Sequence, residues 1–547
     1  MKRVNYSCLL LFAGLALGSC KKQLDVQNPN QPTPSSATTE QGIVSLAQGS
    51  TYTNGFRDLK YGDGVFGLYW SGAMGFQELM ADVIQAEAAN AYLNQVGIPD
   101  RIIFSNGQTL LNPNNPKTQL QLLRQINVNS QQGQNVTYYE WAYMYSLNNS
   151  MNYLLDLVDK VSFSDNAATK KATIRAWAHW WKGYAYARIG SIYYAGLIVN
   201  SPSATNGNYL TKEQIIAESN AQFDKATAEL TAATDAASYT DILGKIIPSF
   251  NQVGLGGVLT QDMWKRNINT MKARNILVNK QVKDMTAADW NNILTLTNNG
   301  IQQGDKIFTG RSNTTGDFLT NAGTGTVSGR TQHPQAGGNT YKLSERWVQE
   351  FKPGDKRFEN NVKQTTTWIG NQDRGHAFNT RYTLVSGGTG LAGVKVYANI
   401  APGAYELYLA GSYEENELMK AEALIYTNQI EQGLQRIDAV RAYQGAGLAA
   451  TAGTGLNQAA AIEELRRERR VALPFLGLSF YDARRWGRIF PIAQGGGRTG
   501  AVVVKADATV DNNATIEYGF LDYWDVPDNE LVYNPAAAGS APTKNPK

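Results

Sequence analysis

Cysteine is almost missing from this chain of 547 residues, which has only Cys8 and Cys20. Two thiols cannot supply a disulfide framework, so a protein of this length must be held by core burial alone. Histidine is nearly as scarce. His179, His333 and His376 are scattered, with no HExxH spacing, and a zinc set has no support. Charge is low and almost balanced, at 18% of residues and a formal +4, which removes the broad basic footprint of a nucleic-acid binder. Long apolar runs are lacking too. The stretch 9–17 falls well short of the ~20 residues that span a bilayer. No serine lies in a G-x-S-x-G elbow, so a hydrolase triad has no anchor.

What is present begins with the N-terminus. Lys2 and Arg3 precede the apolar stretch, and Leu17-Gly18-Ser19-Cys20 closes it, the layout of a secretory signal. The alternative is an ordinary signal peptide with a chance cysteine. The motif resembles the lipobox of bacterial lipoproteins, which implies cleavage after residue 19 and lipidation of Cys20. The mature chain would then hold 528 residues, with 48 basic against 46 acidic side chains. Residues 20–39, rich in Pro, Ser, Thr and Asn, read as the lipidated N-terminus and a flexible tether.

Helical periodicity follows. Apolar stripes predict helices over Trp70–Ala88, Tyr138–Val161 and, most strongly, Ala167–Tyr194, where Ile174, Trp177, Ala178, Trp181, Tyr184 and Ala185 recur at i, i+3, i+4 spacing. Thr211-Lys-Glu-Gln214 is a capping box opening another helix. Further helices are predicted over Thr260–Gln281, Thr286–Gln302, Ala404–Thr427, Ile430–Tyr443 and Gln458–Ala472. Several form adjacent pairs of roughly TPR size, units that bury their apolar faces by stacking. The expected fold is mostly α, with stacked TPR-like helix pairs and an irregular, loop-rich lobe containing short strands. The expected bodies are a helical scaffold at 40–303, the irregular lobe at 304–403 and a C-terminal helix pair, signature segment and tail at 404–547.

In the lobe the periodicity disappears, while Trp347, Phe351, Trp368, Phe378, Tyr382 and Tyr397 argue against disorder. Short strands are expected at Tyr382–Val385 and Val394–Tyr397, and another at Ala501–Lys505. A flat ring offers an apolar face to the C–H surface of a sugar, and nearby amides and guanidiniums bond its hydroxyls. Trp347 beside Arg346, Trp368 near Asn371 and Arg374, Tyr382 beside Arg381, and Tyr92 between Asn90 and Asn94 fit that description. For each of them the alternative is plain packing of the lobe.

Other motifs carry less. Arg466, Arg467, Arg469 and Arg470 alternate with Glu463, Glu464 and Glu468, so Glu463–Arg467 and Glu464–Arg467 are helical ion pairs in an internally compensated structural network. Three GxGxxG patterns, beginning at Gly62, Gly388 and Gly495, lack the strand-then-helix setting of a nucleotide loop. Glu414/Glu415 and Glu417/Glu422 lie on one helix and suit ion pairing better than the acid pair of a glycosidase. Calcium bound by Asp and loop carbonyls stays open, without EF-type spacing.

These segments together resemble the SusD/RagB family of outer-membrane nutrient-binding lipoproteins. Ala461–Arg488, AIEELRRERRVALPFLGLSFYDARRWGR, is similar to the family signature, and Tyr413–Ala449 to the preceding helix pair. Asp525–Glu530 and Tyr533-Asn-Pro535 look like its closing element, and the helix through Trp181 and Tyr184 like its aromatic helix. There Trp-Lys-Gly-Tyr-Ala-Tyr-Ala stands where Arg-Ala-Tyr is usual, a departure that touches packing. The irregular lobe is unmatched. The resemblance implies a lipid-anchored protein facing the cell exterior. It would bind oligosaccharides and pass them to a SusC-like TonB-dependent outer-membrane transporter, without catalysis, cofactor or nucleic acid. A peptide-binding lid of the same family, or a surface glycosidase, are the alternatives.

Overall fold

A helix buried along most of its length organises the molecule. The computed structural model describes residues 38–53, 69–87, 90–131, 133–311, 325–331, 341–368 and 377–547. The expected signal, Cys20, the tether up to residue 37 and Arg374 lie outside the described residues.

The first helices are α1 Glu40–Gln48, α2 Ala73–Met80, α3 Leu93–Val96 and α4 Gln119–Ile126. Longer ones follow: α5 Val136–Leu157, α6 Ala167–Ile192, α7 Lys212–Ala232, α8 Ala236–Ile246, α9 Gln261–Val278 and α10 Ala287–Asn298. Two short helices, α11 Glu345–Val348 and α12 Lys356–Asn361, precede the C-terminal set. That set is α13 Tyr413–Tyr426, α14 Ile430–Tyr443, α15 Gln458–Ala472, α16 Ser479–Arg485 and α17 Asp528–Tyr533.

The central helix is α6. Trp177, Trp180 and Trp181 are all fully buried on it, so it is enclosed by its neighbours rather than laid on a surface. It packs on α5, α7 and α8. Gly183 lets α7 come close, since a Cβ there would stand 2.6 Å from the Phe223 ring. Beside it the departure Lys182 is buried, donating to the side-chain carbonyls of Asn148 and Asn152 on α5. Burial pushes its ammonium down to about 7. The Thr211 box forms as expected: Gln214 N donates to Thr211 Oγ1, and Thr211 N to Gln214 Oε1. The second stack runs α9–α10–α13–α14–α15, with a satellite core of Leu277, Trp290, Ile293 and Met419 between α9, α10 and α13. The fold is mostly α, as the helical spacing predicts.

The strands are short and antiparallel. The largest sheet has the order β11 (Arg498–Val504), β12 (Val510–Glu517), β2 (Arg101–Ile103), β3 (Thr109–Leu111). Two-stranded ribbons join β1 (Ile84–Ala86) to β7 (Tyr341–Leu343), β4 (Ala195–Gly196) to β5 (Leu210–Thr211), β6 (Thr309–Arg311) to β10 (Glu406–Tyr408), and β8 (Val362–Trp368) to β9 (Thr380–Leu384). The strands expected near Tyr382 and Ala501 are thus present. The one expected at Val394–Tyr397 is not. Its backbone is held from the side instead, Tyr397 N donating to the Asn361 side chain at 2.7 Å and Lys395 N to Gln444 O at 3.1 Å. The helix expected over Trp70–Ala88 stops at Met80, because Asp82 turns left-handed at φ 54° to meet Arg346, and β1 follows. The helix expected from Ala404 starts only at Tyr413, capped by Ser412 after β10.

Candidate functional site

Much of the signature segment is buried, and its buried charges are held by charged partners. Arg485 forks onto Glu422 of α13 at 2.5 and 2.7 Å and onto Asp482 at 2.7 Å, while Arg469 takes the other oxygen of Asp482 at 2.8 Å. Burial alone would raise the Asp482 carboxyl, yet the two guanidiniums hold it below its ordinary range. Glu468 accepts from Arg441 and from Arg357 of α12, which ties the irregular lobe to α15. Glu463–Arg467 pairs as expected at 3.2 Å. Glu464 does not pair with Arg467. It pairs with Lys352 and Arg441, because its side chain faces the neighbouring elements rather than the next turn. The other carboxylates of α13 are equally engaged: Glu414 by Lys395, Glu415 by Arg274, Glu417 by Arg436. His179 is a packed residue, its Nδ1 2.7 Å from Gln222 Oε1.

Two of the six candidate ligand residues meet in one place. A cleft of about 500 Å³ opens between α11, α12, β9 and β11, and Arg381 and Tyr382 line it with Phe351, Phe358, Lys352 and Glu345. Strand pairing opposite Gln364 sets Tyr382 in β9. Its half-buried ring meets Phe358 edge-on at 6.0 Å and 73°, and Phe358 meets Phe351 at 5.6 Å. The Tyr382 hydroxyl makes no hydrogen bond among the described residues. Arg381 lies 5.5 Å from the same ring, and its backbone N–H and guanidinium donate to the buried Glu345 at 2.6, 2.8 and 3.2 Å. That carboxylate raises the arginine above its ordinary value. Lysine and arginine face Glu345, Asp355 and Glu359 around the cleft, so it carries little net charge. Such a cleft offers an aromatic wall and fixed polar groups, the arrangement that stacks on a neutral ring and bonds its hydroxyls.

The other candidates fall elsewhere. Trp347 is a correction: it is fully buried and its Nε1 donates to Arg470 O at 2.9 Å. One turn of α11 points it inward onto Phe351, Tyr397 and Phe475, so it is a core post that presents no face to a ligand. Trp368 ends β8 opposite Thr380, two residues before Tyr382 on the partner strand. Tyr92 is half-buried in a loop away from the cleft lining. It and Ala91 both have positive φ, 56° and 44°, a strained pair of non-glycine residues. Sequence reasoning passed over Phe358 and Lys352 as site residues. The seven-residue spacing of Phe351 and Phe358 around the turn at Pro353-Gly354 was the available signal.

Among the described residues no group of three or more His, Cys, Asp or Glu is placed to hold a metal ion, and no helix is long and apolar enough to cross a membrane.

Comparison with known proteins agrees with this architecture. Residues 415–538, from α13 to α17, match the model of the SusD family. A SusD-like carbohydrate binding protein from Bacteroides vulgatus superposes with a TM-score of 0.54 over 92% of this chain and 98% of its own, at 12% identity. Surface glycan-binding protein A from Bacteroides thetaiotaomicron, in complex with laminarihexaose, gives 0.54 over 93% and 100%, at 11% identity. A putative sugar binding protein from Bacteroides vulgatus gives 0.51 over 92% and 96%, at 15% identity. At these identities the likeness is one of fold. No curated protein sequence matches the chain.

Proposed function

We propose that this protein captures an oligosaccharide in the Arg381–Tyr382 cleft and passes it, uncut, to a TonB-dependent transporter in the outer membrane. In this reading Cys20 carries the lipid that tethers the protein to the outer face of that membrane. The observation that carries it is a SusD-family segment within a fold shared along nearly its whole length with a glycan-bound neighbour. The cleft adds a chemical reason, because Tyr382 and Phe358 give a ring-stacking wall while Arg381 and Lys352 supply donors. Residues 304–403 act as the ligand-choosing lobe and 40–303 with 404–547 as its scaffold. The helical face of that scaffold is the side offered to the transporter.

A glycosidase reading finds less support, since Glu345 and Asp355 at the cleft are already bound by Arg381 and Arg357. Among the described residues that leaves Glu359 as the one cleft carboxylate without an ion pair, where the chemistry needs two. The lid reading is tested by gentle detergent extraction of the native protein. A co-purifying outer-membrane barrel is expected, and a protein that isolates alone contradicts delivery. Incubation with bound oligosaccharides should release no new reducing ends. A peptide library run beside a glycan array separates the peptide-binding lid.

A further inference from the structure

A second cavity, of about 310 Å³, shares Gln349 with the lining of the aromatic cleft and is bounded by α15, α16 and β11. Its walls are arginine-rich beyond what the carboxylates there can balance. The buried Glu350 accepts from Arg466 at 3.0 and 2.8 Å and from Arg498 at 2.9 Å, and Arg470 Nε stands 3.3 Å from it. Glu463 takes Arg466 again, and Arg467. Arg488, at the mouth, has no ion pair among the described residues, and its one hydrogen bond is a 3.5 Å contact to Gly497 O. Asp482 also lines the cavity, but Arg469 and Arg485 occupy it. Five guanidiniums therefore share two carboxylates.

The donors are as telling as the charge. Arg467 uses one N–H, towards Glu463, and Arg498 bonds only through Nη2. Arg470 is more than nine-tenths buried with its Nη atoms on the carbonyls of Ala81 and Asp82, and its Nε has no hydrogen-bond partner. Three guanidiniums hold Glu350 well below the usual carboxylate range although burial opposes this. Burial and the neighbouring Arg498 and Arg466 push Arg470 below its own ordinary value. A concave site with spare planar forks and an excess of positive charge is suited to an oxyanion, which a guanidinium binds through two parallel hydrogen bonds. The volume admits one sugar ring.

We propose that the Arg467–Arg470–Arg488–Arg498 cavity is an oxyanion site that receives a carboxylate or sulfate group, the charged substituent of an acidic sugar. Only the attribution of that group to a sugar rests on the carbohydrate reading above. The two sites make separate demands: the cleft stacks a neutral ring, and the cavity selects charge.

Isothermal titration of the full chain at low ionic strength with sodium sulfate, trigalacturonic acid and neutral laminarihexaose tests this. Sulfate or trigalacturonate should bind saturably, and at least tenfold more weakly to Arg467→Gln/Arg488→Gln, whose side chains lie at the mouth. Thr499→Glu, an exposed position lining the same cavity, should abolish the binding through like charge. Tighter binding of trigalacturonate than of sulfate assigns an acidic sugar, and equal affinity assigns a free oxyanion. Neither anion binding, or equal binding by wild type and both variants, overturns the site. The laminarihexaose arm reads the aromatic cleft alone, so its failure counts against the carbohydrate reading and leaves the anion result standing.

Discussion

The α13–α16 scaffold and the lobe around Tyr382 use the same residue types for opposite ends. In the scaffold Arg485, Glu422, Asp482 and Arg469 are buried and ion-paired with one another. At the cleft Arg381 and Tyr382 are both partly exposed. The scaffold is where the family match lies, at 415–538, and the cleft falls almost wholly outside it. Residues inside the family match are thus ones that hold the fold, while the cleft's aromatic and charged residues lie outside it. The lobe is nevertheless fastened to the scaffold, by Arg357 on Glu468 and Arg346 on Asp82, both buried ion pairs.

The sharpest way to break this comparison is to cut one pair on each side. Arg485→Ala leaves Glu422 and half of Asp482 buried without a cation, and should cost about 3–5 kcal/mol of stability, read from the denaturant midpoint. Tyr382→Ala should cost the fold far less and weaken glycan binding roughly tenfold or more, about 1.4 kcal/mol, read by titration calorimetry. Similar stability losses from the two would erase the distinction between scaffold and cleft.

A pH series sharpens it from another side. Glu78, on α2, is fully buried and its carboxylate accepts from Gly477 N and Ser479 Oγ, with no ion pair among the described residues. Burial pushes it up to about 7. In the unfolded chain it loses its proton near the ordinary value, so between roughly pH 4.5 and 7 the folded state holds more protons. Stability should fall as pH rises through that window. Glu78→Gln should flatten this decline in melting temperature, an effect on the order of 1–3 kcal/mol at neutral pH. An unchanged slope would show that the junction of α2 with α16 tolerates a charged carboxylate. The smallest effect belongs to exposed pairs: Lys160→Ala, which removes the surface contact with Asp156, should change stability by less than about 0.5 kcal/mol.

Much of the scaffold was legible in the sequence because helical periodicity is local. The spans of α14 and α15 agree with the apolar spacing to the residue, and the Thr211 box announced α7. What failed was set by distant partners. Asp82 ended a helix early because Arg346 needed it, and Val394–Tyr397 lost its ladder to the side chain of Asn361. The same reason governs the site. Trp347 and Tyr382 look alike in sequence, each beside an arginine in a helix-poor stretch. Only packing separates them, α11 turning Trp347 under Arg470 while β9 holds Tyr382 at the cleft. Phe358 was passed over because nothing local says that it stands across from Tyr382.

The most direct test is a glycan array followed by calorimetry on the best ligand, comparing wild type with Tyr382→Ala and Arg381→Ala. The account predicts at least one oligosaccharide bound by the wild type, tenfold or weaker binding by both variants at an unchanged melting temperature, and intact sugar recovered afterwards. Undiminished binding in both variants, or recovery of shortened chains, would contradict it.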